Sequence, residues 1–320
     1  MKGDSMIQGT IRAVCLSEKK GTGKKPVAEA HFIEDLGIGG DAHAGHWHRQ
    51  VSLLSYEKVR KFNESGAGVT DGDFGENLVV SGIDFRSLPV GTILAITSPD
   101  GKEEAVLEMT QIGKECHNGC AIRQRMGVCI MPVEGVFAKV ARGGYVHPGD
   151  LMTVRLPDPD RPFTAAVITV SDRSAAGVRE DKSGPAAREI LEKAGYQVLE
   201  TIVIPDEPEE IKKQLMRLSD QRQVSLIITS GGTGFSMRDN TPEATMAVAD
   251  RNAPGIAEAI IMKSLQITDR AMLTRLASVI RKKTLIVNLP GSPKAVREDL
   301  GFILGALEHG LGILRGSATD

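Results

Sequence analysis

Residues 230–245, SGGTGFSMRDNTPEAT, constrain the fold of this chain more than any other stretch. They follow VSLIIT at 224–229, a run short and β-branched enough to be a buried strand. They lead into PEATMAVAD, whose spacing predicts a helix with Thr241 as N-cap and Pro242 as its first residue. The order is therefore strand, loop, helix. Gly231, Gly232 and Gly234 let the loop take positive φ and let a ligand reach the main chain without meeting a Cβ. Successive N–H groups in such a turn, and those at the start of the helix, converge on anions, phosphate above all. Between the two cradles lie Arg238, a cation for phosphate, and Asp239, a carboxylate able to hold a divalent metal. The competing account of a bare GGTG is a tight strand-to-helix connection with a surface Arg–Asp pair. The neighbouring segments decide against it.

From residue 163 onward, strand-like and helix-like runs alternate: AAVITVSD, GPAAREILEKAG ending on Gly195, YQVLETIVIPD, PEEIKKQLMRLSD and VSLIITS. This alternation predicts an α/β domain, a parallel sheet with helices on both faces. Ligands of such sheets sit beyond the carboxyl ends of the strands. The first strand end supplies Ser171 and Asp172, with Asp181, Ser183 and Gly184 in the loop beyond. The second supplies Asp206, and the third Gly231, Gly232, Thr233, Gly234 and Arg238. KTLIVNLPGSPKAV brings Pro290, Gly291 and Ser292 to the same edge before a further helix. Carboxylates at Asp181, Asp206 and Asp239 beside two glycine turns and several hydroxyls point to phosphoryl or nucleotidyl transfer, with the protein supplying geometry, N–H groups and a metal site. No GK[ST] follows the glycines, so this is not a Walker A loop. Asp206 also reads as the N-cap of PEEIKKQL, a role compatible with the first.

Residues 1–156 read differently. TIRAVCL, QVSLL, NLVV, TILAIT, AVLEMTQIG and LMTVRL are short strand-like runs broken by glycine, which predict a mostly-β barrel or sandwich. SYEKVRKFNE is the clearest helix, followed by RQRMG and PVEGVFAKVARGG. The proline- and aspartate-rich residues 157–162 read as an exposed linker, and 163–320 as the second domain. Two polar clusters stand out in the first half. In GIGGDAHAGHWHRQ, the residues Asp41, His43, His46, His48 and Arg49 form either a metal loop or an anion loop with Arg49 as its charge. In TQIGKECHNGCAI, Cys116 is a thiol that Lys114 or His117 would activate, a zinc ligand together with Cys120 and the histidines, or an inert core residue.

The formal net charge is −2 and neither half carries a basic excess, which argues against nucleic acid as a partner. No apolar run is long enough for a membrane span, and MKGDSMIQGT lacks a signal-peptide pattern. A cytoplasmic protein whose four cysteines are thiols is expected.

GDAHAG with RQVSLL, then DGDFGENL, Cys116 in its turn and the closing YVHPGD together resemble the MOSC domain over about residues 6–156. The resemblance implies a β-barrel that binds molybdenum cofactor or its sulfur, with Cys116 as ligand or sulfur carrier and the Asp41, His43 and Arg49 loop beside it. VSDR…DKSGP, PDE, SGGTGFSMRDNTPEAT and NLPGSPKAV resemble the molybdopterin adenylyltransferases of the MogA/MoaB type over about residues 163–315. That resemblance implies transfer of AMP from Mg·ATP to the terminal phosphate of molybdopterin, giving adenylyl-molybdopterin and pyrophosphate. Asp206 and Asp239 would be the catalytic carboxylates that position Mg²⁺. Ser171, Asp172, Asp181, Ser183, Gly184, Gly231 to Gly234, Arg238, Thr241 and Pro290 to Ser292 would bind nucleotide, phosphate or pterin. It further implies a homotrimer that serves a molybdate-insertion enzyme and molybdoenzymes. A non-catalytic carrier of molybdopterin is the alternative.

Overall fold

The computed structural model describes residues 7–115 and 121–317. The chain divides into two compact units, Met1–Pro157 and Asp158–Asp320. Cys116, His117 and Cys120 lie outside the described residues.

The strands of the first unit are β1 (Gln8–Leu16), β2 (Lys25–Val27), β3 (Ala30–Ile33), β4 (Gly37–Ile38), β5 (Val51–Ser55), β6 (Leu78–Ser81), β7 (Ile93–Thr97), β8 (Glu103–Ile112), β9 (Val136–Arg142), β10 (Gly144–Val146) and β11 (Leu151–Arg155). Pairing runs β11, β7, β8, β9, β5, β6, β1, and β1 pairs back to β11, so seven strands close into a barrel. Closure leaves no unpaired edge to template another strand. Inward-facing Ile11, Leu53, Leu94, Ile96, Leu107 and Met109 are fully buried and fill the interior. The helix α1 (Tyr56–Glu64) packs Val59 and Phe62 with Phe74 and Phe137 into a second cluster.

One predicted helix is corrected. PVEGVFAKVARGG is not continuous helix: α2 (Ala121–Met126) is followed by the single turn α3 (Met131–Glu134), and β9 starts at Val136. Gly135 adopts extended backbone (φ −68, ψ 138) and ends the turn. Beyond it Val136, Ala138 and Val140 alternate into the barrel core, a period of two that outweighs the helical propensity of FAK.

The second unit holds α4 (Asp172–Ala175), α5 (Ser183–Lys193), α6 (Pro208–Met216), α7 (Thr241–Ala247), α8 (Pro254–Leu265) and α9 (Pro293–Arg315) around six strands, β12 (Thr164–Val170), β13 (Gln197–Ile204), β14 (Leu226–Ser230), β15 (Arg251–Asn252), β16 (Ser278–Arg281) and β17 (Thr284–Leu289). The sheet order is β13-β12-β14-β17-β16-β15. The first four strands are parallel, and β16 and β15 complete an antiparallel edge. Ala165 and Val167 of β12 belong to one core with Ala187, Ile260 and Val296, whereas Ala166, Ile168 and Val170 belong to another with Ile211, Leu215 and Ala244. Both faces of the strand are thus covered by helices, which is why it reads as continuously apolar. The β16–β17 turn places Lys282 in the left-handed region (φ 51). The turn has no Gly or Asn, so β16 leaves no hairpin signal in the sequence.

The stretch read as an exposed linker is held along its second half. The Arg315 guanidinium, at the end of α9, donates to the carbonyls of Pro159, Arg161 and Pro162 and lies 3.9 Å from the Phe163 ring centroid. Among the described residues no helix is long and apolar enough to cross a membrane.

Candidate active site

The parallel strands β13, β12, β14 and β17 end along one edge of the sheet, and the loops that follow them line a cleft of about 1140 Å³. Ser171, Asp181, Ser183, Asp206, Gly231 to Gly234, Asp239 and Pro290 to Ser292, scattered over 122 positions of sequence, all line it. Asp172, Gly184, Arg238 and Thr241 are not among the lining residues.

Asp206 and Asp172 exchange bonds. The Asp172 N–H donates to Asp206 Oδ2 at 2.8 Å, and the Asp206 N–H donates to Asp172 Oδ1 at 3.0 Å. The loops after β12 and β13 are locked together by this pair. Arg238 forks onto Asp172 (Nε to Oδ2 3.1 Å, Nη2 to Oδ1 2.9 Å) and reaches Glu207 at 2.8 Å. The cation expected to meet phosphate therefore bridges two carboxylates and fastens the glycine loop to its neighbours. Asp206 itself is 9% exposed. Burial raises its pKa above the ordinary carboxylate range, and the charges of Asp172 and Asp239 push the same way.

The glycine loop needs its glycines. Gly231 has φ 102, and a Cβ there would overlap the Val170 carbonyl oxygen. Gly232 has φ 63; its Cβ would overlap Thr241 Oγ1 and stand 2.9 Å from Asp206 Oδ1. Gly291 approaches within 3.3 Å of Gly231 Cα when a Cβ is built on it, so the two glycine turns nearly touch. Asp239 Oδ2 accepts the Ser236 N–H at 3.1 Å, which holds its carboxylate beside Gly234.

Two expected roles change. Thr241 is not the N-cap of α7: it is the first helical residue, Asn240 takes the cap position, and the fully buried Thr241 hydroxyl packs under Gly232. Asp181 uses its carboxylate within the protein: Oδ1 accepts from the Ser183 N–H, the Ser183 hydroxyl and the Gly184 N–H, and Oδ2 from Thr169. It caps α5 and shapes the cleft wall. Ser292 caps α9, accepting the Ala295 N–H at 3.0 Å, and lines the cleft with Pro293 and Ala295, so the positive end of a 23-residue helix borders the cleft.

Other contributors carried no motif. Arg275 donates to the carbonyls of Gly234 and Asp239 and pairs with Glu243, and its own N–H bonds to Thr233 O at 2.9 Å. It clamps the glycine loop from outside. Asn288 is buried within β17 and bridges Thr229 and Thr245 at 2.8 and 2.9 Å. Ser264 and Asp299 line the far end of the cleft.

In the barrel, the Asp41 side chain is fully buried and accepts from the Ser17, Lys24, Asn77 and His43 groups. Burial opposes its charge, but the bonds from His43 and Lys24 outweigh it and hold the carboxyl well below the usual range. Asp41 therefore joins β1, β2 and the FGENL segment. Arg49 lies against the Trp47 and Phe137 rings at 4.9 and 5.5 Å. The histidines diverge: His43 meets Lys24, His46 meets Asp35, and His48 meets Gln111. Among the described residues no cluster of three His, Cys, Asp or Glu side chains is disposed to hold a metal.

Glu76 of FGENL is fully buried; Oε1 accepts the Gly72 N–H at 2.8 Å and Oε2 has no partner. Burial, aided by Asp71, pushes its pKa up to about 7. With a folded pKa above the unfolded one, the native state binds the extra proton between pH 4.5 and 7, so stability falls as pH rises through that window. The cost above pH 7 is about 3 kcal/mol. Glu76→Gln is expected to raise the melting temperature of the barrel at pH 8 and leave it nearly unchanged at pH 4, read by paired calorimetric scans; equal shifts at both pH values would exclude the buried-proton account.

The comparisons agree with this architecture. Residues 166–309 match the family model of a probable molybdopterin binding domain, and residues 40–153 match the MOSC domain. The chain is 46% identical over 136 residues to a molybdopterin adenylyltransferase of Haemophilus influenzae, covering 42% of this chain and 69% of the relative. It is 39% identical over 153 residues to that of Helicobacter pylori, covering 47% and 87%. A solved structure of the molybdopterin biosynthesis enzyme MoaB from Thermus thermophilus is 43% identical, with 48% of this chain and 97% of that one covered and a TM-score of 0.47. Residues 40–153 of its first unit match the MOSC domain, and through its second unit the chain belongs to the molybdopterin adenylyltransferase family.

Proposed function

We propose that the second unit transfers AMP from ATP to the terminal phosphate of molybdopterin, in the biosynthesis of molybdenum cofactor. The observation that carries this reading is the meeting of two carboxylates, Asp206 and Asp239, with two N–H-rich turns and the start of α9 in one cleft. A phosphate oxygen of molybdopterin attacks the α-phosphorus of ATP, the bond to the β-phosphate breaks, and pyrophosphate leaves. The loop and helix N–H groups bind the phosphates and hold the two reactants in line. The cleft, at about 1140 Å³, exceeds the upper end of about 1,000 Å³ for a single drug-sized ligand, in keeping with a large nucleotide-and-pterin ligand set.

The residues fit Mg²⁺. Asp206 is buried beside the like charges of Asp172 and Asp239, an excess of negative charge that a cation relieves. Mg²⁺ needs only one or two carboxylates besides substrate phosphates and water. When bound, it would neutralise the triphosphate. Asp206 and Asp239 would hold it, and Asp206 is kept in place by Asp172.

By this reading the MOSC unit binds molybdenum cofactor or handles its sulfur through Cys116, and the product passes to a molybdate-insertion enzyme that supplies molybdoenzymes in the cytoplasm. A homotrimer is part of the proposal. Exposed Met262 and Met272, on α8 and the turn after it, are apolar surface that assembly would cover. Pyrophosphate release from molybdopterin and ATP by the full chain tests the activity. Turnover that stops on Mg²⁺ chelation supports it, and stoichiometric pterin binding indifferent to ATP replaces it with a carrier.

A further inference from the structure

We infer that the far end of the cleft reads the N–H edge of a fused pyrimidinone, with Asp299 and Ser264 as its acceptors. The inference rests on the proposal that this cleft takes a pterin, and it names the residues that recognise the ring. Asp299 lines the cleft from α9 and is 1% exposed. Its Oδ1 accepts the Ser264 hydroxyl at 2.9 Å, whereas its Oδ2 is buried with no hydrogen-bond partner in the protein. A buried carboxylate oxygen without a donor is costly, and the charge acting on it, Glu298, has the same sign. A ligand that brings donors relieves that cost.

The chemistry selects the ligand. Ser264, which also lines the cleft, spends its proton on Asp299, so toward a ligand its oxygen acts as a second acceptor. Two neighbouring acceptors match two neighbouring donors. The 2-amino-4-oxopyrimidine edge of a pterin presents such a pair, its ring N3–H and exocyclic NH₂. Adenine presents an N–H beside a bare ring nitrogen, whose lone pair would confront one of the acceptors. Placement agrees: Asp299 is two turns beyond Ser292 on the same face of α9, about 10 Å along the axis. The phosphate cradles at the start of α9 are therefore separated from Asp299 by the length of a two-ring heterocycle with a phosphate arm. The carboxyl is raised to about 6 by burial and by Glu298, so it is mostly ionised, and an acceptor, at neutral pH.

The test measures binding of 6-hydroxymethylpterin, of the matching lumazine in which oxygen replaces the 2-amino group, and of ATP with Mg²⁺, to the full chain and to Asp299→Asn and Ser264→Ala. The wild type is expected to prefer the pterin to the lumazine by about tenfold or more, the scale of a hydrogen bond to a charged group. Asp299→Asn should erase that preference and Ser264→Ala reduce it, with ATP affinity unchanged in both as the control for folding. Selectivity unchanged in Asp299→Asn overturns the assignment while leaving the pterin cleft intact, and a loss of ATP affinity instead of pterin selectivity overturns it in favour of adenine. A wild-type chain that binds no pterin overturns the functional proposal itself.

Discussion

Asp239→Ala is expected to lower the rate of pyrophosphate release by about two to three orders of magnitude while pterin affinity stays within a few fold. Electrostatic groups aimed at the charge of a transition state contribute on this scale when removed singly. Asp239 stands on the glycine loop, its carboxylate fixed by the Ser236 N–H beside Gly234. Asp206→Asn should lose turnover to a similar degree for the same reason. Its amide oxygen can still accept the Asp172 N–H, so the loop junction and the melting temperature survive. The pair of variants separates charge from architecture: single-turnover quench-flow with the full chain and Mg·ATP reads the chemical step directly. Wild-type rates in Asp239→Ala would remove the carboxylates from the mechanism and with them the adenylyl-transfer reading.

The parts of this site visible in sequence were those where one residue type is demanded by backbone geometry or by chemistry. GGTG followed by an acid and a proline marked a tight turn and the helix after it, because glycine at Gly231 and Gly232 is sterically required. The alternation of strands and helices then brought four distant loops to one sheet edge. What was not visible depended on who the neighbour is. Arg238 reads as a phosphate ligand until Asp172 and Glu207, 66 and 31 positions away, are found beside it. Asp181 reads as a free carboxylate, yet DKSG is equally a helix-capping sequence, and the capping role takes its oxygens. Arg275 and Asp299 lie in segments whose spacing marks only surface and helix. Their partners, the glycine-loop carbonyls and Ser264, come from other elements. In the barrel, Asp41 reads as a loop acid facing a ligand, whereas the fold turns it inward as the acceptor that ties three segments together.

Gly231→Ala should cost the second unit about 3 kcal/mol or more, the sum of left-handed backbone strain and a direct clash. The added methyl would have to occupy the space of the Val170 carbonyl oxygen, and that carbonyl is backbone in the central strand β12, which cannot swing aside. For a unit of this size the loss corresponds to a fall of about 10 °C in melting temperature. Gly195→Ala is the matched control. Its φ of 86 is equally left-handed, but nothing lies within 4 Å of the new Cβ, so only the backbone strain of about 1 kcal/mol remains. Gly234→Ala completes the argument from the opposite side. Its Cβ meets the mobile end of Asp239 at 2.9 Å, so the side chain moves and the backbone does not. That variant should keep its melting temperature and lose turnover, because the displaced group is the carboxylate assigned to the reaction. Calorimetry and pyrophosphate release measured on the three variants together therefore distinguish a loop that is rigid because the fold requires it from one whose precise shape serves catalysis; equal melting temperatures for Gly231→Ala and Gly195→Ala would show that β12 yields and that the clash is not what preserves glycine there.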